Sequence, residues 1–425
     1  MFSTRSVNEV GVGPPNHIML LDGWERMVNI QYMLRRLAHV SMDGNFTLVE
    51  PFVYESKVSL WRSAPEMFHK DKLRAQAASR YFRTADLYNT RHYMSYAQWQ
   101  QRAHSACTHA SFVHAVLFFT WSEQQWGGGN KSEEELPGPF WWCDSEMRKR
   151  MPGGSNRTLG VHQVTRSVHV GRALCASPRS VRNRAFFATL FHIARTRIRA
   201  PRRMGCARCV TVALGNYRKH VLEGYRTVFG DEPSRHRVPP LDLSDEAKRI
   251  ASALIERHGK GGGFMALHMR TGKAYTLLAK NESHFEAWLA ACTAALVGEA
   301  RASHMAVYVA SDLFNEGWRG GERASEGVQG ALDAARRALA EASHFRLHAT
   351  AEAAVRQDAM GMAAAVDAAV AVRAQRFVFG EPSSFGQWVR ELRAQRGRHS
   401  LGVRCALRPT WRPPPPRAAA ALKIT

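Results

Sequence analysis

No stretch of this chain reaches the roughly eighteen uninterrupted apolar residues that a membrane-spanning helix requires. Its best apolar run, Phe112 to Trp121, is ten residues long and contains His114, which suits a core strand or helix. The amino-terminal MFSTRSVNEVGVGPP has neither an apolar core nor a cleavage pattern, so no signal peptide is visible. Acidic residues are scarce, 36 against 59 Lys and Arg, for a net charge of +23. Such an imbalance ordinarily points to an anionic partner. Here, however, the arginines are spread through Ala-rich text, and no basic stripe interleaves with aromatics as a strand-binding groove requires. A nucleic-acid partner is not expected.

A four-ligand zinc set is also lacking. Cys206 and Cys209 form a CxxC, but no second CxxC and no spaced His pair completes four ligands. The seven cysteines could instead supply disulfides with one left over. Four glycosylation sequons stand at Asn45, Asn130, Asn156 and Asn281, where chance predicts about one. These two features favour the lumen of the secretory pathway, endoplasmic reticulum or Golgi, over the cytoplasm, against the lack of a visible signal.

A chain of 425 residues exceeds one typical domain. NHIMLL (Asn16 to Leu21) reads as a strand, DGWER (Asp22 to Arg26) as a tight loop, Met27 to Val40 as a helix and Met42 to Asn45 as a turn. A strand from Phe46 to Glu50 then completes a βαβ unit, with a Gly-containing loop where open α/β sheets place their ligands. Residues 54–126 resist division into elements. Asp231 to Leu243 is the best linker. Beyond it, a helix capped by Ser244 precedes the strand Phe264 to Arg270, a helix from about Ser283 to Val297, and the strand Met305 to Ala310; two Ala-rich helices and the strands Phe345 to His348 and Arg376 to Gly380 follow. The expected fold class is therefore α/β, with two Rossmann-like domains over residues 1–235 and 236–400 and an extended Pro/Arg-rich tail over 401–425.

The second domain carries the chemistry. In FMALHMR, period-two alternation puts His268 and Arg270 on one face at the strand's carboxyl end. An apolar helix bearing Asp367 precedes the strand RFVFG, and Ser383 and Ser384 then open a further helix. Helix-start amides and hydroxyls favour an anion such as diphosphate, and a guanidinium can grip it bidentately. Plainer readings exist for each residue: His268 as a satisfied core histidine, Arg270 paired with a carboxylate, and Asp367 paired with Arg373 or Arg376.

The His-x-Arg strand end, VYVASD in the next strand, and Asp367 sixteen residues before Ser383, Ser384 and Phe385 in FVFGEPSSFGQWVRELR together resemble the GDP-fucose protein O-fucosyltransferase superfamily. The amino-terminal loop and helix, followed by NFTLVEPF, also resemble that family's opening unit, in which a Gly-rich loop and a strand ending in Pro precede the acceptor cleft. The resemblance implies a GT-B architecture, two Rossmann-like domains facing across a cleft, and metal-free, inverting transfer of fucose from GDP-fucose to a hydroxyl of a protein. It assigns guanine to Asp367 and the diphosphate to Arg270 and the serine hydroxyls, with His268 and Phe385 alongside. Glu25 is the candidate base, or else a surface partner of Arg26; Gly23, Arg26 and Asp312 are further candidate contacts. Lys273 departs from the pattern, since many relatives carry an acidic or second polar residue there. A glycan-directed fucosyltransferase, an inactive nucleotide-sugar-binding relative and a basic nucleic-acid-binding protein are the alternatives.

Overall fold

The computed structural model describes residues 16–21, 23–24, 27–54, 60–63, 75–106, 111–119, 136–143, 168–177, 184–198, 210–215, 240–258, 263–278, 281–314, 324–346, 360–381 and 383–405. They fall in two compact units, one formed by residues 1–246 with 357–364 and the other by 247–356 with 365–425. Both are α/β.

The first unit runs β1 (Asn16–Leu20), β2 (Gly23–Trp24), α1 (Met27–Gly44), β3 (Thr47–Val49), β4 (Phe52–Tyr54), β5 (Leu60–Arg62), β6 (Ala75–Ala77), α2 (Ala85–Tyr88), β7 (Tyr93–Met94), α3 (Tyr96–Ala106), β8 (Ser111–Phe119), β9 (Phe140–Trp142), β10 (Val168–Ala176), α4 (Arg184–Thr196) and β11 (Val210–Gly215). Its main sheet has the order β7-β3-β1-β11-β8-β10-β9 and is parallel except for the β10/β9 edge pair. A strand covered on both faces can be apolar throughout, and the run that contains His114 is such a strand, β8, rather than a helix.

Two expectations need correction here. Gly23 and Trp24 are not loop but a short strand, paired antiparallel with Trp61 and Leu60 in a small second sheet of order β2-β5-β4-β6. Asp22, Glu25 and Arg26 lie outside the described residues. The helix also runs past Val40 to Gly44, absorbing most of the expected turn, and Asn45 then takes a left-handed φ of 53° that ends it. The βαβ reading itself holds, since β1 and β3 pair in parallel.

The second unit comprises α5 (Asp245–His258), β12 (Phe264–Met269), α6 (Thr271–Leu278), α7 (Glu282–Ser303), β13 (Ala306–Ser311), α8 (Glu326–Ala342), α9 (Met360–Arg373), β14 (Arg376–Glu381), α10 (Ser384–Ala394) and β15 (Leu401–Arg404). Its four strands are all parallel, in the order β13-β12-β14-β15. All six residues of β12 are buried, as both-face coverage demands. Asn281 and Ser325 cap α7 and α8 through their side chains, onto the amides of His284 and Val328.

Leu401 does not begin a tail outside the core. Leu401–Arg404 adds to the sheet beside β14, and the next residue, Cys405, is disulfide-bonded to Cys292 of α7. A second disulfide joins Cys143 to Cys175. Phe345 makes a single bridge with Tyr308 instead of starting a full strand, and residues 347–348 lie outside the described set, as do Cys206 and Cys209.

Candidate functional site

Parallel strands deliver their carboxyl ends to one edge of the sheet, and that edge gathers His268 near the end of β12, Arg270 just after it, Asp312 after β13 and Ser383 after β14. Four of the expected site residues thus meet for a reason of topology. Each has a distinct job.

His268 is buried, with Nδ1 3.0 Å from the carbonyl oxygen of Ala310 and Nε2 2.9 Å from Ser383 Oγ. A carbonyl can only accept, so Nδ1 carries the proton and Nε2 accepts from the serine hydroxyl. Burial lowers the imidazole pKa from 6.5 to about 4, with the Asp312 carboxylate pulling the other way and Arg270 adding to the depression. The ring is a neutral wedge. It lies 4.4 Å, centroid to centroid, from Phe385, which is likewise buried.

Ser383 therefore has no proton to offer a ligand: its hydroxyl donates to His268 and accepts from the amide of Gly386 at 3.1 Å. It is the N-cap of α10, 2% exposed. Ser384 differs. Half-buried, it receives Arg270 Nη1 at 3.4 Å on its Oγ. Among the described residues nothing is hydrogen-bonded to the amides of Ser384 and Phe385, the first two of the helix. A Cβ on Gly386 would stand 2.1 Å from the ring of Phe379, so glycine is what lets the start of α10 seat itself on β14.

Asp312 is committed elsewhere. Its Oδ1 accepts from the amide and hydroxyl of Thr271 at 2.8 and 2.7 Å, and its Oδ2 accepts from the amide of Gly272 at 2.9 Å. The carboxylate thus fills the anion-favouring start of α6, leaving the start of α10 as the neighbouring anion cradle. Neither α6 nor this cap had a signal in the sequence beyond an Asp at a strand end.

Asp367 lies on α9, and its Oδ1 accepts a hydrogen bond from the hydroxyl of Tyr308 on β13. The arginines considered as its partners are engaged otherwise, Arg373 with Ser252 Oγ and Arg376 with Glu299. Although Asp367 keeps part of its surface open, crowding around the carboxyl raises its pKa from 3.8 to about 7, and the Tyr308 hydrogen bond offsets only part of that. Tyr308 was missed because a tyrosine in an apolar strand reads as core.

No family model and no curated protein matches this chain. Among solved structures it is similar to POFUT1 in complex with GDP-fucose, at 13% identity and a TM-score of 0.49 over 93% of this chain and 99% of that one. POFUT1 in complex with GDP gives 14% identity and 0.48 over 92% and 99%. NodZ alpha-1,6-fucosyltransferase soaked with GDP-fucose gives 15% and 0.22 over 43% and 51%. These are loose likenesses of chain course, and the chemistry must come from this chain's own residues.

Proposed function

We propose that this chain is a GT-B type glycosyltransferase that binds GDP-fucose on its second unit and transfers fucose, with inversion, to a hydroxyl acceptor, most simply Ser or Thr of a protein. The observation that carries the reading is the pairing of Arg270 with Ser384 at the open first turn of α10, at the same sheet edge as the buried His268 and Ser383. Cleavage of an anomeric bond to diphosphate builds negative charge on the leaving phosphate. Arg270 and the amides of Ser384 and Phe385 would meet it with fixed, preorganised positive charge. That supply of charge is the basis for proposing that no divalent metal takes part.

On the base side, a carboxylate can accept from the two adjacent N–H groups of guanine together, which neither adenine nor uracil presents. Asp367, desolvated and held on one oxygen by Tyr308, fits that task. The acceptor's proton is assigned to Glu25, which lies outside the described residues. The disulfides Cys143–Cys175 and Cys292–Cys405 support placing the chain in the oxidising lumen of the secretory pathway.

The deciding experiment compares thermal stabilisation by GDP, ADP, UDP and CMP, because a ligand that binds only the folded state raises its apparent stability. Selective stabilisation by GDP is the expected result. Equal shifts with all four would leave Asp367 without its role, and no shift with any would remove the nucleotide reading.

A further inference from the structure

At the other end of the second unit's sheet from Arg270, a cavity of about 780 Å³ opens among the amino-terminal ends of β12, β14 and β15. Arg373, Arg376, Arg398 and His399 line it, and no Asp or Glu does. Each arginine is anchored by one edge only. Arg373 Nη1 donates to Ser252 Oγ, Arg376 Nη2 bonds Glu299, and Arg398 Nη1 donates to carbonyls at the end of α9, 2.6 Å from that of Arg373. A guanidinium has five N–H donors, so Nε and one terminal nitrogen of each stay without a partner among the described residues.

Apolar side chains share the lining. They include the buried Phe264 and Leu401, which is 41% exposed and the one large hydrophobic side chain exposed among the described residues.

We propose that this cavity is a second binding site, separate from the nucleotide crevice, for a sugar-sized molecule bearing a phosphate or sulfate ester. A lone carboxylate offers two oxygens and satisfies one guanidinium, whereas a tetrahedral ester presents three terminal oxygens and can engage several at once. No acid lines the wall, Glu299 being held behind Arg376, and the net positive lining favours an anion. The ring that carries the ester has Phe264 and Leu401 to lie against, and the volume falls within the roughly 300–1,000 Å³ of small-molecule sites. Phosphate and sulfate esters share this chemistry.

Calorimetric titration of the full chain with glucose 6-phosphate, glucose 6-sulfate, glucose and inorganic phosphate separates the sources. At least one ester should bind, more tightly than glucose or inorganic phosphate, and the preferred ester names the class. Arg373→Glu with Arg376→Gln should weaken that binding about tenfold or more, while Arg270→Ala should leave it unchanged. Since Arg376 also holds Glu299, the exposed Arg373→Gln alone gives a second reading, with a loss of about threefold. Failure of both esters to bind, equal binding of inorganic phosphate, insensitivity to the Arg373 and Arg376 changes, or loss in Arg270→Ala would each overturn the assignment.

Discussion

Tyr308 and Asp367 are 59 positions apart in sequence and share one hydrogen bond, from a fully buried phenol on β13 to a carboxyl on α9. That bond aims the carboxyl. Tyr308→Phe should weaken GDP binding about threefold to tenfold, the net worth of one ordinary hydrogen bond, and leave ADP binding where it was. Asp367→Ala should abolish the GDP preference altogether. Thermal shift with the two nucleotides reads both variants, and a retained preference in Asp367→Ala would make the aspartate structural.

The same carboxyl sets a pH dependence. Its folded pKa, about 7, lies above the ordinary 3.8, so the native state holds a proton there that the unfolded state has lost. The stability this proton contributes is complete below pH 3.8 and is lost as pH rises through 7. Guanine requires the opposite state, because only the ionised carboxylate accepts both N–H groups. GDP selectivity should therefore strengthen from pH 6 to pH 8, and Asp367→Asn should flatten the dependence. Calorimetric GDP affinities across that range would detect a slope of the wrong sign.

Ser383 and Ser384 are adjacent and should fail differently. Ser383→Ala removes a buried cap and leaves Nε2 of His268 without its donor, costing about 1–2 kcal/mol of stability. Ser384→Ala should spare stability and weaken nucleotide diphosphates more than nucleosides. Urea midpoints beside GDP and guanosine titrations distinguish the two, and matching behaviour in both variants would refute the division of labour.

Arg270→Lys keeps the charge but not the planar fork, so a folded variant should lose about tenfold or more in turnover. Unchanged turnover would take Arg270 out of the mechanism.

Activity should survive excess EDTA, since Arg270 and the helix amides supply the charge a metal would bring. Loss with chelator and return with Mg²⁺ or Mn²⁺ would reassign that role.

Much of the second unit was legible because its strands are short, apolar and followed by polar residues, as in FMALHMR and RFVFGEPSS. Period and punctuation sufficed to put His268, Arg270 and Ser383 at one sheet edge. What they do there was not legible: two hydroxyls look alike in sequence, yet Ser383 is consumed by His268 and Gly386 while Ser384 faces Arg270. TGKAYTLL gave no helix signal because the cap of α6, Asp312, arrives from another strand, 41 residues on from Thr271. LGVR, four residues with a glycine, has no period to read, and only pairing with Val378 to Glu381 makes it a strand. In the first unit, short strands such as β4 and β5 carry too few residues for alternation to register.

Arg393 is fully buried, with no carboxylate bonded to it among the described residues; its guanidinium instead gathers the carbonyl oxygens of Ala371, Val372, Ala374, Gln375 and His399. It sits in the last turn of α10, and four of those five carbonyls belong to the end of α9 and the two residues that follow it. One helix bears the carboxyl proposed to read the base, and the other begins with the amides proposed to hold the phosphates. Arg393, joined by Arg398 on the carbonyls of Val372 and Ala374, thus acts at the far end of both as the rivet of a caliper. The gap between the two jaws is set before any nucleotide enters, by the backbone oxygens that these guanidinium groups gather.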